Sequence, residues 1–496
     1  MLKKLSVQGL HLWCGLFAAL WLAVLGGTGF MLDHRDNWRW LWQSGVSAGW
    51  LPEAIQDKAG NGSIRLYQVS PHDAGIALSG GMTGLWWRKG DEAEWQQSRF
   101  NSSSTTPLVH QILFDARLAG RVWLATGDGL WSSNDNGQHL KRLAFAGQGV
   151  TAIARYGSHR LYAVIERSRL FRIDTTTGTI GRLPLSPPPR TSLPAEISLS
   201  RFVRDLHYGR GITTVDASLL WNDIAGIALL VLPLSGILFY WLPKRWRRRK
   251  AVGADINHHY KKQTMRWLFR LHGPTLGLLS IIPLLYLALT GILLDHSTGL
   301  RQWMKQTEVS RLFQTPVYNI ADWQGHIYGV AVSGAGNRIS LATRLGLYSS
   351  VDDGKRWQRE RVWADKAVFV WTLRQRGEQL FIGGMGSPNF VKPDRHAAWQ
   401  NIGGHAHMPS DITVQGDSVL LKNRKGLWRI TKDNQLRQQQ VDFPAVRFIP
   451  WFYVIDGLHS GLIIHSQWKW ANDLIALLAI VLAITGLLRW WKTKWI

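Results

Sequence analysis

The chain has 496 residues, a formal net charge of +25 and a single cysteine, and its mean hydropathy lies near zero. That length leaves room for roughly two to four domains, and one cysteine, Cys14, excludes a disulfide within the chain. Much of the positive charge lies beside apolar runs, so anionic lipid is the expected partner and nucleic acid is not.

In chain order, the first apolar run covers residues 10–32 and follows Lys3 and Lys4. It is too long for the apolar part of a signal peptide and lacks a small-residue cleavage site, so residues 1–33 are predicted to form a retained span. Residues 34–205 read as soluble, β-rich protein. Residues 206–243 hold a short Leu-His-x-Gly element and a second apolar run, 219–242. Residues 244–270 form a connection with ten basic residues and one acid, Asp255. A third span is predicted over 271–296, with its apolar run at 276–294. Residues 297–456 are again β-rich, and residues 457–496 repeat the Leu-His-x-Gly element before a fourth span and a tail. The fourth apolar run, 474–488, is short and is bounded by Trp468, Trp470, Trp490 and Trp491, which suit the headgroup level. By the positive-inside rule the basic connection and both termini face the cytoplasm, and the two long connections face the periplasm of a bacterial inner membrane.

The two long connections carry a repeated triplet: Gly84-Leu-Trp86, Gly129-Leu-Trp131, Gly346-Leu-Tyr348 and Gly426-Leu-Trp428. Two copies continue into Ser132-Ser-Asn-Asp-Asn-Gly137 and Ser349-Ser-Val-Asp-Asp-Gly354. These are similar to the Asp-box turns that join strands in sialidase-like β-propellers. About three blade-like units are expected per segment, either in one shared propeller of six or seven blades or in two separate β-domains. Asp boxes are structural, and no carboxylate pair placed for glycoside hydrolysis is evident. The expected class is therefore a four-span α-helical bundle of duplicated two-helix halves with an all-β, propeller-like exported part.

The duplication is the strongest signal. Leu10-His11 opens a span that closes on Thr28-Gly-Phe-Met-Leu-Asp-His34, and Leu271-His272 opens one that closes on Thr290-Gly-Ile-Leu-Leu-Asp-His296. Farther on, Asp205-Leu-His207-Tyr-Gly209 and Trp221-Asn-Asp-Ile224 match Gly457-Leu-His459-Ser-Gly461 and Ala471-Asn-Asp-Leu474. Such repetition implies a pseudo-two-fold bundle with equivalent histidines facing one another. A lone histidine at a membrane edge is an anchor or a packing contact, but six in matched places point to function. Bis-imidazole ligation of haem iron needs one histidine from each of two facing elements. Nearby Gly9, Gly15, Gly273 and Gly277 would admit a flat porphyrin or serve close helix packing.

On these residues the chain resembles the PepSY-associated transmembrane family, which includes iron-regulated membrane proteins and ferric-siderophore reductases. The resemblance rests on Leu10-His-Leu-Trp-Cys-Gly15, Asp205-Leu-His-Tyr-Gly209, Leu271-His-Gly-Pro-Thr-Leu-Gly277 and Gly457-Leu-His-Ser-Gly461. It implies haem in the four-helix domain, with His11, His207, His272 and His459 as the first ligand candidates; the 23 residues from His11 to His34, about 34 Å of helix, suggest two haems b, one on His11 and His272 and one on two of His34, His296, His207 and His459. His34 and His296 rest on the repeat instead. The all-β exported segments depart from the small α+β domains usual in that family.

His405-Ala-His407-Met408 offers imidazole and thioether donors for copper or iron, although a surface loop is the simpler reading. No nucleotide fingerprint or P-loop is present, so electrons would come from quinol or a separate cytoplasmic reductase. The expected function is transfer of electrons through haem to a periplasmic acceptor, a ferric-siderophore in the family's terms. The alternative is a non-enzymatic scaffold or sensor whose propeller binds a partner, and a transporter ranks third for want of an interrupted span or buried acidic relay.

Overall fold

The computed structural model describes residues 6–35, 38, 40–101, 106–189, 197–253, 257–320, 322–333, 338–363, 366–385, 387–402, 408–415, 418–431 and 433–494. Seven helices frame the site: α1 Val7–Asp33, α2 Leu199–His207, α3 Val215–Ala251, α4 His258–Arg270, α5 Leu276–Asp295, α6 Trp451–Ser460 and α7 Lys469–Lys494. Among the described residues four helical runs are long and apolar enough to cross a membrane: Val7–Asp33, Ala217–Ala251, His258–Asp295 and Lys469–Trp491. A 27-residue helix such as α1 is ~40 Å long, more than the ~30 Å of a hydrocarbon core. Phe17, Leu20 and Ile282 are 69%, 78% and 72% exposed, an apolar outer surface suited to lipid.

The four spans form a ring in which α1 packs on α3 and α7, and α5 packs on the same two. Close approach of α1 and α3 depends on glycine. A Cβ on Gly26 would lie 2.6 Å from Leu229 Cβ and 2.7 Å from the Gly226 carbonyl. Between α4 and α5 the helix widens into a π turn, Leu271–Thr275. Pro274 has no N–H to give the preceding turn, and Gly277 lies where a Cβ would collide with the His272 carbonyl at 2.3 Å. The basic connection is helical over most of its length, because α3 runs on to Ala251 and α4 begins at His258. Its Lys and Arg are good helix formers, which a reading weighted to charge overlooks.

The two long connections build one propeller of six blades, three from each. Each blade is built on four antiparallel strands, to which the second adds Arg99–Phe100 in parallel at its outer edge, and its innermost strand begins the blade: Ile64–Val69, Val109–Phe114, Val150–Tyr156, Ile327–Ser333, Phe369–Arg376 and Asp411–Gln415. These strands neighbour one another in a closed cycle, the last returning to the first. The closure is bonded: Gln68 Nε2 donates to Asp411 Oδ2 at 3.0 Å, and Ser410 Oγ to the Arg65 carbonyl at 2.6 Å.

Each Gly-Leu-aromatic triplet opens the third strand of its blade, and its glycine makes the tight turn with φ of +91°, +106°, +144° and +134°. The Asp boxes follow those strands. In the second, Ser350 Oγ accepts from Gly354 N–H at 2.9 Å, Asp352 accepts from Arg356 N–H at 2.8 Å, and buried Trp357 donates to the Gly354 carbonyl at 3.0 Å.

Two short clasps join propeller to bundle. Gly45–Ser47 pairs with Phe448–Pro450 just before α6, and Ile197–Ser198 pairs with Glu308–Val309 just before α2. Each clasp takes one strand from each half, so the halves are interleaved.

Candidate functional site

The helices α2 and α6 descend from the propeller and end on residues with left-handed backbone, Gly209 at φ +59° and Gly461 at φ +73°. Those turns fold each helix back against the spans, which brings His207 and His459 into the bundle as the sequence requires. A side chain on Gly461 is impossible here, because its Cβ would lie 1.8 Å from Trp468. On the back of each helix an asparagine completes the dock. Asn222 Nδ2 donates to the His207 carbonyl at 2.9 Å, and Asn472 Nδ2 to the Ser460 carbonyl at 3.2 Å.

Two histidine pairs result. His207 and His459 have ring centroids 6.3 Å apart with an interplanar angle of 60°. His11 and His272 are 6.2 Å apart at 83°. The first pair lies at the propeller end of the spans and the second at the basic end. His459 is bonded to Thr28, which stands seventeen residues from His11 on α1, so the levels are separated by ~25 Å.

Each imidazole meets a hydroxyl on a helix from the other half. His11 Nδ1 is 2.8 Å from Thr485 Oγ1, His272 Nδ1 is 2.7 Å from Ser235 Oγ, His207 Nδ1 is 3.1 Å from Thr290 Oγ1, and His459 Nδ1 is 2.9 Å from Thr28 Oγ1. A glycine follows every one of these hydroxyl residues. A Cβ at Gly29, Gly236, Gly291 or Gly486 would lie 3.4–3.5 Å from the Cε1 of the same ring, so the ring rests against helix backbone. These [Ser/Thr]-Gly steps are what the sequence reading missed. Thr28-Gly29 and Thr290-Gly291 stood in the repeat without a role, and Ser235-Gly236 and Thr485-Gly486 supply the same dipeptide in the other two spans. The glycines named from sequence lie elsewhere: Gly9 faces Ser6, Gly15 faces Leu482, Gly277 faces the His272 carbonyl, and Gly273 has nothing within 4 Å of its Cβ direction.

The remaining two matched histidines do not join the pairs. His34 Nε2 lies 2.9 Å from Asp223 Oδ1, with its ring against Phe30 and Trp38. His296 Nε2 lies 2.7 Å from Asp473 Oδ2, with its ring against Trp470. The Asn-Asp repeat thus contributes its aspartates to one histidine of each half and its asparagines to the helix that carries another. His405 and His407 lie outside the described residues.

Burial lowers the pKa of His207, aided by the nearby His459, and burial lowers that of His459 too, which favours the uncharged ring. A neutral imidazole with one protonated nitrogen keeps a lone pair on the other, which is what a metal needs. Two imidazole nitrogens bound on opposite sides of one metal ion at about 2 Å each would place the ring centroids ~6 Å apart, as both pairs are. Among the described residues no group of three or more His, Cys, Asp or Glu is placed to hold a metal ion. Each pair therefore offers two facing imidazoles, with no third side chain of those types grouped with it among the described residues.

The family model for the PepSY-associated TM region matches residues 8–493. The chain belongs to the PepSY-associated transmembrane family. The four histidine motifs that carry the resemblance all lie within the matched range. No curated protein matches it. Among solved structures it is similar to an ancestral GH74 enzyme at 12% identity, covering 81% of this chain and 41% of that one, with a TM-score of 0.36. It is also similar to the Pan2 WD40 domain of Neurospora crassa at 10% identity, 80% and 85% coverage and TM-score 0.35. YCF48 from Cyanidioschyzon merolae gives 10% identity, 77% and 90% coverage and the same TM-score, 0.35. This family member spans less than half the length of the GH74 enzyme.

Proposed function

We propose that the His11–His272 and His207–His459 pairs each hold one haem b, and that the protein carries electrons across a bacterial inner membrane to a periplasmic acceptor of the ferric-siderophore class. The observation that supports this reading is the duplicated pair: two facing imidazoles about 6 Å apart, built twice, at two levels of one four-helix bundle. Haem bound there would supply a one-electron iron couple at each level. The protein's own residues do the rest. The spans half-bury the rings, the imidazoles present their ring nitrogens, and α2 and α6 tie the pair at the propeller end to the propeller.

The ten basic residues of the 244–270 connection orient the lower pair toward the cytoplasm and the propeller toward the periplasm. Quinol or a cytoplasmic reductase is the donor in this reading. The full-length protein purified in detergent should show haem absorption that sharpens on adding dithionite and returns when a ferric hydroxamate complex is added. A colourless protein would instead favour a scaffold or sensor whose propeller binds a partner.

A further inference from the structure

We propose that Thr28, Ser235, Thr290 and Thr485 are positioning residues that fix the tautomer and aim of the four paired imidazoles, and through them the affinity and potential of the iron; this rests on the haem reading above. A hydroxyl has one proton to give. In all four residues it is already directed to a carbonyl of the preceding turn: Thr28 to Val24 at 2.6 Å, Thr290 to Tyr286 at 2.7 Å, Thr485 to Val481 at 2.7 Å and Ser235 to Leu232 at 3.0 Å. The oxygen can therefore only accept from the ring, and Nδ1 must carry the hydrogen. Nε2 is left with the lone pair in every ring.

The arrangement is crossed between the halves, which makes it more than local back-bonding within a helix. Thr485 and Thr28 serve His11 and His459, while Ser235 and Thr290 serve His272 and His207, and no hydroxyl shares a helix with its imidazole. Each bond thus sets a ring against a neighbouring span, and the direction of Nε2 follows from helix packing. Hydrogen bonds to the far nitrogen of a ligating histidine orient the ring and raise its basicity, and their loss commonly weakens metal binding about 10–100-fold. A neutral hydroxyl acceptor donates less electron density than a carboxylate would, which keeps the iron easier to reduce.

Valine has nearly the shape of threonine and lacks the acceptor, so Thr28→Val and Thr485→Val remove the bond with little change in packing. In the full-length protein each should weaken haem binding at its own pair by about 10–100-fold and shift the potential of that haem alone. Thr28→Ser and Thr485→Ser should restore both, while thermal melts report whether the fold is kept. Wild-type haem affinity and unchanged potentials in both valine variants would overturn the proposal. Imidazole nitrogen NMR of the haem-free protein tests the tautomer whether or not haem is the ligand. Protonated Nδ1 and bare Nε2 at all four rings support the assignment, and protonated Nε2 in the wild type overturns it. Failure of the protein to take up haem would sink the electron-transfer reading and leave that tautomer result standing.

Discussion

The two helices that bring histidine into the upper site do the same job with different support. In α2 the residue two before His207 is Asp205, which is buried in a charged cluster. Arg344 Nη2 lies 3.0 Å away, Arg201 Nε 3.3 Å, and the Tyr318 hydroxyl donates at 3.0 Å. Burial alone would raise the Asp205 carboxyl, but the two guanidiniums and the phenol hold it below its usual range. In α6 the matching position is Gly457, and there the contact is mainly apolar, with an ion pair between Asp456 and Lys58 beside it. Ile55, Ala59, Met82, Ile449, Tyr453 and Val454 form one buried cluster, with Ile55 packed onto the glycine. The duplicated halves have kept the geometry around the rings and let the means of holding it diverge. That asymmetry teaches that the same histidine placement is reached from a mainly charged contact in one half and a mainly apolar one in the other.

The largest expected effect is on the charged side. Asp205→Ala would strand Arg344, 2% exposed, and Arg201, 9% exposed, without their carboxylate, at a cost of about 3–5 kcal/mol. Denaturant melts would register it, and a loss below about 1 kcal/mol would mean the cluster is not what holds α2. On the apolar side, Gly457→Ala places a Cβ 2.4 Å from Ile55 Cδ1 and should cost about 1–3 kcal/mol by overpacking. Pairing it with Ile55→Val should recover part of the loss, and no recovery would separate Gly457 from that contact.

The smallest effect is one of pH. His326 sits beside the Asp205 cluster with its pKa lowered from 6.5 to about 3, first by burial and then by Arg344 and Arg201. Below pH 6.5 the unfolded chain binds a proton that the folded chain refuses, so stability falls as pH drops toward 3. Between pH 7.5 and 5.5 the loss should be about 1 kcal/mol from this residue. Hydrogen exchange should show the α2 dock loosening more than the α6 dock over that range, and His326→Phe should abolish the difference. Equal loosening of both would remove His326 from the account.

Much of this molecule was legible in its sequence because the important interactions repeat. The spans, the Asp-box turns and the four paired histidines all stand out as matched segments, and Gly209 and Gly461, whose turns carry His207 and His459 inward, stand in the same repeated motifs. What stayed hidden lies between halves. His34 and His296 repeat as faithfully as the others, and only their contacts with Asp223 and Asp473 on neighbouring spans separate them from the paired rings. The single closed propeller was one of two arrangements the sequence left open, and what decides it, the last blade meeting the first through Gln68 and Asp411, spans some 340 residues. A similar swap hides in the blade junctions. Asp115 of the second blade pairs with Arg155 of the third, while Arg374 of the fifth pairs with Asp411 of the sixth, so the same tie recurs with acid and base exchanged.

Haem content per chain tests the central claim most directly. Wild-type protein should hold two haems, His272→Ala and His459→Ala one each, and the double variant none, while His34→Ala and His296→Ala keep both. A wild-type chain without haem, or a His272→Ala/His459→Ala double variant that retains the full complement, would contradict it.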